Sequence, residues 1–381
     1  MRPTPRLTAA LSILGLFFSV ACKRHAQPPP PGYHEYAYVS NGKGDSVSVI
    51  DLLQFRNVKT IPVGKNPSGL AVNPKRNEIY VANTESSNVS IIEAETNQVV
   101  AVIGVHHRPY FIDVSADGKR AYVANSGSAN VSVIDLDSRL VIATINVGGS
   151  HGLAKVSPDG KVVVVSNRAD NSVSMLDAQQ NRVRSTVSAC TNPEDIAILP
   201  DSSKAFVACT GSEQVAAIDL ANDKLLSVLD LGKTPIHLAL KPDGGEIFVS
   251  DYDSDAVSVI ETTANEVGNT FLIGTRPVRS VVSSDNTMLY TSDFGSNSIS
   301  IYEIDIGKML GAIPVGSGPD ALALSHNENF LLVVNSKSGD VAVVRTTKLP
   351  EGSKISAERA LFTMIPVGAQ PNDIVVKSFT K

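Results

Sequence analysis

The chain has 381 residues, of which 43% are hydrophobic and 19% charged, and its formal net charge is −5. This apolar content is sufficient for a large core. Lysine and arginine do not cluster in any run or stripe, which excludes an extended nucleic-acid-binding surface.

The first 21 residues predict an export signal. Arg2 and Arg6 precede an apolar stretch, residues 7–20, that is too short to span a bilayer. Residues 19–22 read SVAC and resemble the lipobox, at which bacterial signal peptidase II cuts before a lipidated cysteine. The resemblance implies a lipid on Cys22 and, because Lys23 is not an aspartate, an outer-membrane location. A secreted or periplasmic product with an ordinary cleaved signal is the alternative.

Residues 22–35 carry the lipidation cysteine and a run of four prolines, and they predict a stiff spacer before a globular body at 36–381. That body is built from a repeat of 42 residues. Its first marker is a strand-like tetrapeptide, listed here with its starting residue: YVSN (38), YVAN (80), YVAN (122), VVSN (164), FVAC (206), FVSD (248), YTSD (290) and LVVN (332).

A second marker, typically G-x-x-P, begins 26 residues after each tetrapeptide. Its copies are GKNP (64–67), HHRP (106–109), GGSH (148–151), CTNP (190–193), GKTP (232–235), GTRP (274–277) and GSGP (316–319). An eighth copy, GAQP (368–371), comes ten residues late because of an insertion at 348–360. This regularity excludes chance similarity between the copies.

Each repeat contains four short runs rich in β-branched residues and separated by turn signals. In the third repeat these runs are 122–125, 131–135, 141–147 and 153–157, and a PDGK turn follows. Four strands per 42 residues, repeated eight times, predict an all-β fold, an eight-bladed β-propeller, with seven blades as the alternative.

The repeated phrases YVAN, NVSVID, TINVG and SPDGK resemble the YVTN β-propeller repeats of secreted and cell-surface proteins, over residues 36–381. This resemblance is specific for the fold and says little about function. Within each blade the strands are labelled a to d from the central tunnel outward. The chain enters on a b strand (36–40) and ends on an a strand (373–377), so pairing of these two strands is expected to close the ring.

An Asn or Asp follows strand b in seven repeats: Asn41, Asn83, Asn125, Asn167, Asp251, Asp293 and Asn335. Such a residue is expected to fasten the b–c loop through nearby backbone N–H groups. In the remaining repeat Cys209 replaces the Asn, and Cys190 replaces the Gly of the preceding step. Their neighbouring positions in an exported chain predict a disulfide, with two separate buried thiols as the alternative.

Function is expected where the repeats differ. The d–a and b–c loops share one face of the ring, called the top face, and the residues just before strand a vary most. The candidate ligand or partner residues there are His107, His151, Glu194, Asp195, His237, Arg279, Asp320 and Asp373. A further pair, Asp113 and Lys155, occupies equivalent positions in adjacent blades and predicts an inter-blade salt bridge.

The favoured function is a non-enzymatic, monomeric scaffold that presents its top face to a protein, glycan or small ligand at the cell envelope. No cofactor or metal is predicted, because the histidines are spread over several blades. One alternative is a planar, d-type haem-like cofactor held by His107, His151 and His237, by analogy with propellers of that kind. Another is lactonase-like hydrolysis, although no catalytic constellation is recognisable in the sequence.

Overall fold

The computed structural model describes residues 29–149, 151–346 and 360–381, and for His151 it describes the backbone alone. The predicted signal peptide and the predicted lipid site at Cys22 lie outside these ranges. No helix within the ranges is long and apolar enough to cross a membrane. The described residues form eight antiparallel sheets of four strands each, so the predicted eight-bladed propeller is confirmed.

The a strands are β4 (Pro67–Val72), β8 (Pro109–Val114), β12 (His151–Val156), β16 (Pro193–Ile198), β20 (Pro235–Leu240), β24 (Pro277–Val282), β28 (Pro319–Leu324) and β32 (Pro371–Thr380). The b strands are β1 (Tyr33–Asn41), β5 (Glu78–Asn83), β9 (Arg120–Asn125), β13 (Val162–Asn167), β17 (Lys204–Cys209), β21 (Glu246–Asp251), β25 (Met288–Asp293) and β29 (Phe330–Asn335).

The c strands are β2 (Ser46–Asp51), β6 (Asn88–Glu93), β10 (Asn130–Asp135), β14 (Ser172–Asp177), β18 (Gln214–Asp219), β22 (Ala256–Glu261), β26 (Ser298–Glu303) and β30 (Asp340–Arg345). The d strands are β3 (Arg56–Pro62), β7 (Gln98–Gly104), β11 (Leu140–Asn146), β15 (Arg182–Ser188), β19 (Lys224–Asp230), β23 (Glu266–Leu272), β27 (Lys308–Pro314) and β31 (Leu361–Pro366). Short 3₁₀ turns occupy Gly42–Gly44 and Tyr252–Ser254.

Blades 1 to 7 follow the chain, and their a strands are β4, β8, β12, β16, β20, β24 and β28 in that order. Blade 8 joins the two ends of the propeller domain, because β32 is its a strand and β1, β2 and β3 are its b, c and d strands. The β1–β32 ladder runs from Tyr33 opposite Thr380 to Asn41 opposite Pro371. The predicted closure by the terminal strands is therefore confirmed.

The hydrophobic core lies between neighbouring blades. One cluster, for example, packs Tyr80 and Ile91 of blade 1 against Ile112, Val123 and Ile134 of blade 2. Strands b and c are buried on both faces because each blade is covered by two others, whereas the d strand β11 alternates between accessible and less accessible residues. This explains why the inner runs are continuously apolar and the outer ones alternate.

The repeated Asn at the end of strand b fastens strand c through side chains. In blade 1, Asn83 Nδ2 donates to Asn88 Oδ1 at 2.7 Å and to Ser90 Oγ at 2.9 Å. In blade 8, Asn41 Oδ1 also accepts a hydrogen bond from the Gly368 amide at 3.0 Å. The expectation of a structural role fits, but the partners are side chains of strand c and the d–a glycine instead of b–c loop amides.

Candidate functional site

The inner edge of each a strand faces the tunnel and has no neighbouring strand, so its N–H groups need other acceptors. Asp195 of blade 4 provides two of these acceptors. Its Oδ2 accepts from the Leu238 amide of blade 5 at 2.9 Å, and its Oδ1 accepts from the Ile196 amide at 2.8 Å. Asp195 therefore joins two blades, a role that its position in the sequence did not reveal.

The same arrangement recurs at other junctions. Asp373 accepts from the Leu70 amide of blade 1 at 2.9 Å and from the Ile374 amide at 2.9 Å. Asp113 of blade 2 accepts from the Val156 amide of blade 3 at 2.9 Å. These carboxylates connect successive a strands, and the acceptor and donor lie 43 residues apart wherever the chain is continuous between the blades.

Lys155 also crosses a junction, but not to the partner that the sequence suggested. Its Nζ lies 3.0 Å from Asp195 Oδ1 and donates to the Ile196 carbonyl oxygen at 2.6 Å, both on blade 4. Asp113 instead binds the backbone of blade 3. The predicted Asp113–Lys155 salt bridge is therefore wrong, because Lys155 reaches forward to the next blade while Asp113 satisfies a tunnel-facing amide.

The charge of Asp195 is stabilised by this environment. Burial alone would raise the pKa of the Asp195 carboxyl, but Lys155, with the Leu238 amide and the neighbouring His237, lowers that pKa to about 2. We attribute most of this effect to Lys155, because burial lowers the pKa of His237 to about 4 and leaves its imidazole neutral near pH 7. Asp195 and Lys155 are thus both charged and form an ion pair with no net charge.

The side chain of His237 also binds the backbone of a neighbouring blade. Its Nδ1 accepts a hydrogen bond from the Ser280 amide of blade 6 at 3.3 Å, so the proton of the neutral ring sits on Nε2. Nε2 lies 3.8 Å from Asp195 Oδ2. The only lone pair of the neutral ring is therefore in use, and none is free to bind iron or another metal. The hydrogen bond comes from the Ser280 amide, so His237 does not contact the Ser280 hydroxyl as a catalytic base would.

Arg279 of blade 6 is different, because its guanidinium makes no hydrogen bond or close ion pair with any described residue. Burial lowers the pKa of Arg279, but Asp373, Asp320, Asp195 and Tyr110 more than offset this effect and raise it. These four residues belong to blades 8, 7, 4 and 2, and blade 2 lies directly across the ring. The guanidinium is therefore near the tunnel axis, while the residue as a whole remains exposed through the tunnel mouth.

Asp320 lies beside Arg279 on the neighbouring blade, and Arg279 counteracts the rise in its carboxyl pKa that burial causes. Its carboxylate has no hydrogen-bond partner among the described residues. Among the described residues, Arg279 and Asp320 are thus the two adjacent charged groups of the mouth whose side chains make no hydrogen bond or close ion pair.

The opposite rim is formed by three linked side chains on blades 2, 3 and 4. Arg168 forms an ion pair with Glu194, and its guanidinium carbon lies 5.9 Å from the centroid of the Tyr110 ring. Sequence reasoning missed Arg168, although it is the one cation at the position after the repeated Asn. Glu194, predicted as a ligand residue, is occupied by this ion pair.

The histidines do not converge. His106 and His107 are exposed in the loop before β8; His106 Nε2 lies 3.0 Å from Thr144 Oγ1, and His107 bonds Ser128 only through its backbone amide. The side chain of His151 lies outside the described part of the structure. Among the described side chains, no three His, Cys, Asp or Glu groups could hold a metal ion together. The described residues therefore do not fit the haem-like set of His107, His151 and His237.

Comparison with known proteins identifies a family and several solved structures with a similar fold. The family model described as choice-of-anchor I domain matches residues 35–293, and a seven-bladed lactonase β-propeller model matches residues 279–352. No curated protein matches the chain significantly in sequence.

Similar solved structures include hydrazine synthase from Kuenenia stuttgartiensis, at 23% identity and a TM-score of 0.59, covering 70% of this chain and 92% of that one. A dihydro-heme d1 dehydrogenase, NirN, in complex with DHE has 14% identity and a TM-score of 0.73, covering 89% and 74%. A protein of unknown function from Desulfotomaculum acetoxidans has 14% identity and a TM-score of 0.62, covering 90% and 98%. At these identities the likeness shows the propeller fold alone.

Proposed function

The chain belongs to the choice-of-anchor I domain family, and from this premise we propose that it is a non-enzymatic binding scaffold of the cell envelope. Its binding site is the tunnel mouth of the top face, centred on Arg279. The observation that carries the proposal is that Arg279 is accessible, lies near the ring axis and has no direct partner among the described residues. Of the nearby carboxylates, Asp195 and Asp373 are already hydrogen-bonded and Asp320 is not.

The chemistry of this site favours a ligand with a carboxylate. A guanidinium binds a carboxylate through two parallel hydrogen bonds, and no described residue occupies the guanidinium donors of Arg279. Asp320 beside it suits a hydroxyl or ammonium donor of the same ligand. We therefore propose an acidic sugar unit of an envelope glycan as the ligand.

Catalysis is not part of the proposal. The hydroxyl of Ser280 bonds Thr291 at 2.8 Å and Ser250 at 3.2 Å, and His237 takes the Ser280 amide, so these residues do not form a nucleophile and base. The lactonase match is confined to residues 279–352, about two blades. A haem-like cofactor is not proposed either, since His237 lacks a free lone pair.

The envelope location rests on the family, on the Cys190–Cys209 disulfide and on the lipobox-like residues before Cys22. We propose lipidation of Cys22 and attachment to the outer membrane. Labelling expressing cells with radioactive palmitate tests this proposal. Label on the wild type and none on C22S is expected, and label on neither protein would leave a secreted or periplasmic product.

Calorimetric titration with glucuronate tests the ligand proposal, with its uncharged methyl ester as the matched ligand control. We expect R279Q to weaken glucuronate binding at least tenfold. R276Q is the matched protein control, because Arg276 lies on the same blade but its guanidinium stacks on Tyr252, 5.6 Å from the ring centroid. Equal binding of ester and acid, or equal loss in both variants, would remove Arg279 from the proposed role. Binding of acidic peptides but not glucuronate would reject a glycan ligand.

A further inference from the structure

The outer wall of blades 1 and 2 is apolar and exposed. It is formed by the d strands β7 and β11, whose outer edges pair with no described strand. Four large apolar side chains are exposed on it, and we call them the wall patch: Val100 and Val102 of β7 and Leu140 and Ile142 of β11. An open strand edge with apolar side chains tends to bind another molecule unless it is covered or charged.

Most other d strands are protected by charge. β3, β15, β19, β23 and β27 each contain at least one Lys, Arg, Asp or Glu, whereas β7 and β11 contain none. The position of Val100 and Ile142 recurs in blade 3 as Arg184, which is ion-paired with Asp223. The wall patch can therefore be buried without desolvating a charge, which favours an apolar partner.

The described chain begins close to this wall. Its first strand, β1, belongs to blade 8, which adjoins blade 1 in the ring. The Lys381 amide donates to the Gly32 carbonyl oxygen at 3.0 Å, and Lys381 Nζ donates to the Glu95 carbonyl oxygen at 2.6 Å. Glu95 lies in the c–d turn of blade 1, on the bottom face, which is the face opposite the top face. The start of β1 is therefore beside the bottom of blade 1.

The chain before β1 is long enough to place the outer wall on a membrane. Seven residue steps lead from Cys22 to Pro29, the first described residue, and they span at most about 25 Å. Two further strands separate β1 from the outer wall of its blade, a distance of about 10 Å at the spacing of a sheet. A lipid on Cys22 would thus hold this wall at a high effective concentration beside the bilayer.

We propose that the wall patch lies against the lipid bilayer to which the protein is anchored. The inference rests on the proposed lipidation of Cys22. The ring then stands on its edge, with its axis along the membrane surface. This orientation leaves both faces of the ring open, so the tunnel mouth with Arg279 stays accessible to its ligand while the propeller is held at the membrane.

Quenching of a fluorescent label on the lipidated protein tests the proposal. I142C and L226C each add one free thiol for a maleimide dye, and Ile142 and Leu226 share one d-strand position and are 45% and 44% exposed. Leu226 lies on blade 4, across the ring from blade 8. On vesicles of phosphatidylethanolamine and phosphatidylglycerol, we expect acrylamide to quench the I142C label at least threefold less than the L226C label.

Equal quenching of the two labels on lipidated protein would overturn the membrane contact alone. Absence of lipid from the wild type, seen by palmitate labelling, would overturn the lipidation proposal together with this inference, so the two failures are distinguishable. Protection of the I142C label in C22S protein without vesicles would also overturn the inference. Protection that grows with protein concentration would assign the patch to a second copy of the chain, and constant protection would assign it to the chain's own residues.

A label at position 140 measures what the patch itself contributes. We expect the L140C label to be protected on vesicles and V102D/I142D to raise its quenching at least threefold, because two charges then oppose contact with the lipid. L226D is the matched control and should leave the L140C label protected. The melting temperature should change little, since Val102 and Ile142 are exposed. Unchanged protection in V102D/I142D would overturn the proposal, because the tether alone would then bring this wall to the membrane.

Discussion

Cys190 and Cys209, whose Cα atoms are 5.8 Å apart, occupy in blade 4 the two places that Gly64 and Asn83 occupy in blade 1. A Cβ added to Gly64 would lie 2.6 Å from the Cβ of Asn83, so these two positions are in direct contact in every such blade. The disulfide thus replaces a packed glycine–asparagine pair, which explains why both positions changed together. The predicted disulfide is present in the structure.

Because the disulfide takes the place of the glycine–asparagine pair, two double variants should lose unfolding free energy to different extents. C190A/C209A removes the cross-link and puts no other interaction in its place, and it should lower the free energy of unfolding by about 3 kcal/mol, from the 19-residue separation. C190G/C209N removes the cross-link but restores the pair found in other blades, and should lose less. Urea unfolding of the two variants and of the oxidised wild type measures both losses. Equal losses would mean that an asparagine at position 209 contributes nothing in blade 4.

Ring closure by β1 and β32 predicts a severe effect of a short truncation. Deleting residues 369–381 removes the whole a strand of blade 8 and exposes the inner faces of blades 1 and 7, which β32 contacts. We expect loss of cooperative unfolding in circular dichroism melts. Deletion of Lys381 alone is the control and should leave the melting temperature nearly unchanged. Wild-type stability of the long truncation would contradict closure by these strands.

The blade number, the closure and the disulfide could be predicted because each follows from the spacing of repeated residues. The partners of Asp195 and Lys155 could not, because they depend on which tunnel-facing amide or oxygen lies within reach across a junction. Arg279 was found as an unusual residue in a variable column, but its place near the axis depends on the length and direction of its side chain. Sequence spacing fixes which residues share a rim and does not fix which of them pair.

The ion pair between Lys155 and Asp195 predicts an acid-sensitive junction of blades 3 and 4. Removing one partner leaves a largely buried charge, so D195N should cost about 2–4 kcal/mol of unfolding free energy, with K155M similar or smaller because Lys155 is 29% exposed. The double variant should lose less than the sum. The pKa of Asp195 is lowered in the folded protein, so its contribution is present above about pH 4 and is lost as the pH falls toward about 2.

A double-mutant cycle by urea unfolding at pH 7 and pH 3 measures this coupling. D159N is the control, because Asp159 pairs with the exposed Lys161 on the bottom face of the same region. Additive effects of K155M and D195N at pH 7 would show that the two side chains do not stabilise each other.

Asp293 predicts the opposite pH dependence. It is fully buried at the place where five blades have Asn, it accepts a hydrogen bond from Ser300 Oγ at 2.6 Å, and burial raises the pKa of its carboxyl to about 7. A raised folded-state pKa stabilises the protein below about pH 4, and this stabilisation is lost as the pH rises to about 7. The carboxylate then remains buried and charged beside Gly274, where a carboxamide could donate to Ser300 as Asn83 does to Ser90.

We therefore expect D293N to raise the free energy of unfolding by about 2–4 kcal/mol at pH 8 and to change it little at pH 4. Urea unfolding at the two pH values measures the difference. D305N is the control, because Asp305 is exposed in the c–d turn of the same blade and should show no such gain. A gain of equal size at pH 4 and pH 8 would mean that hydrogen bonding, and not the buried charge, separates Asp from Asn at this position.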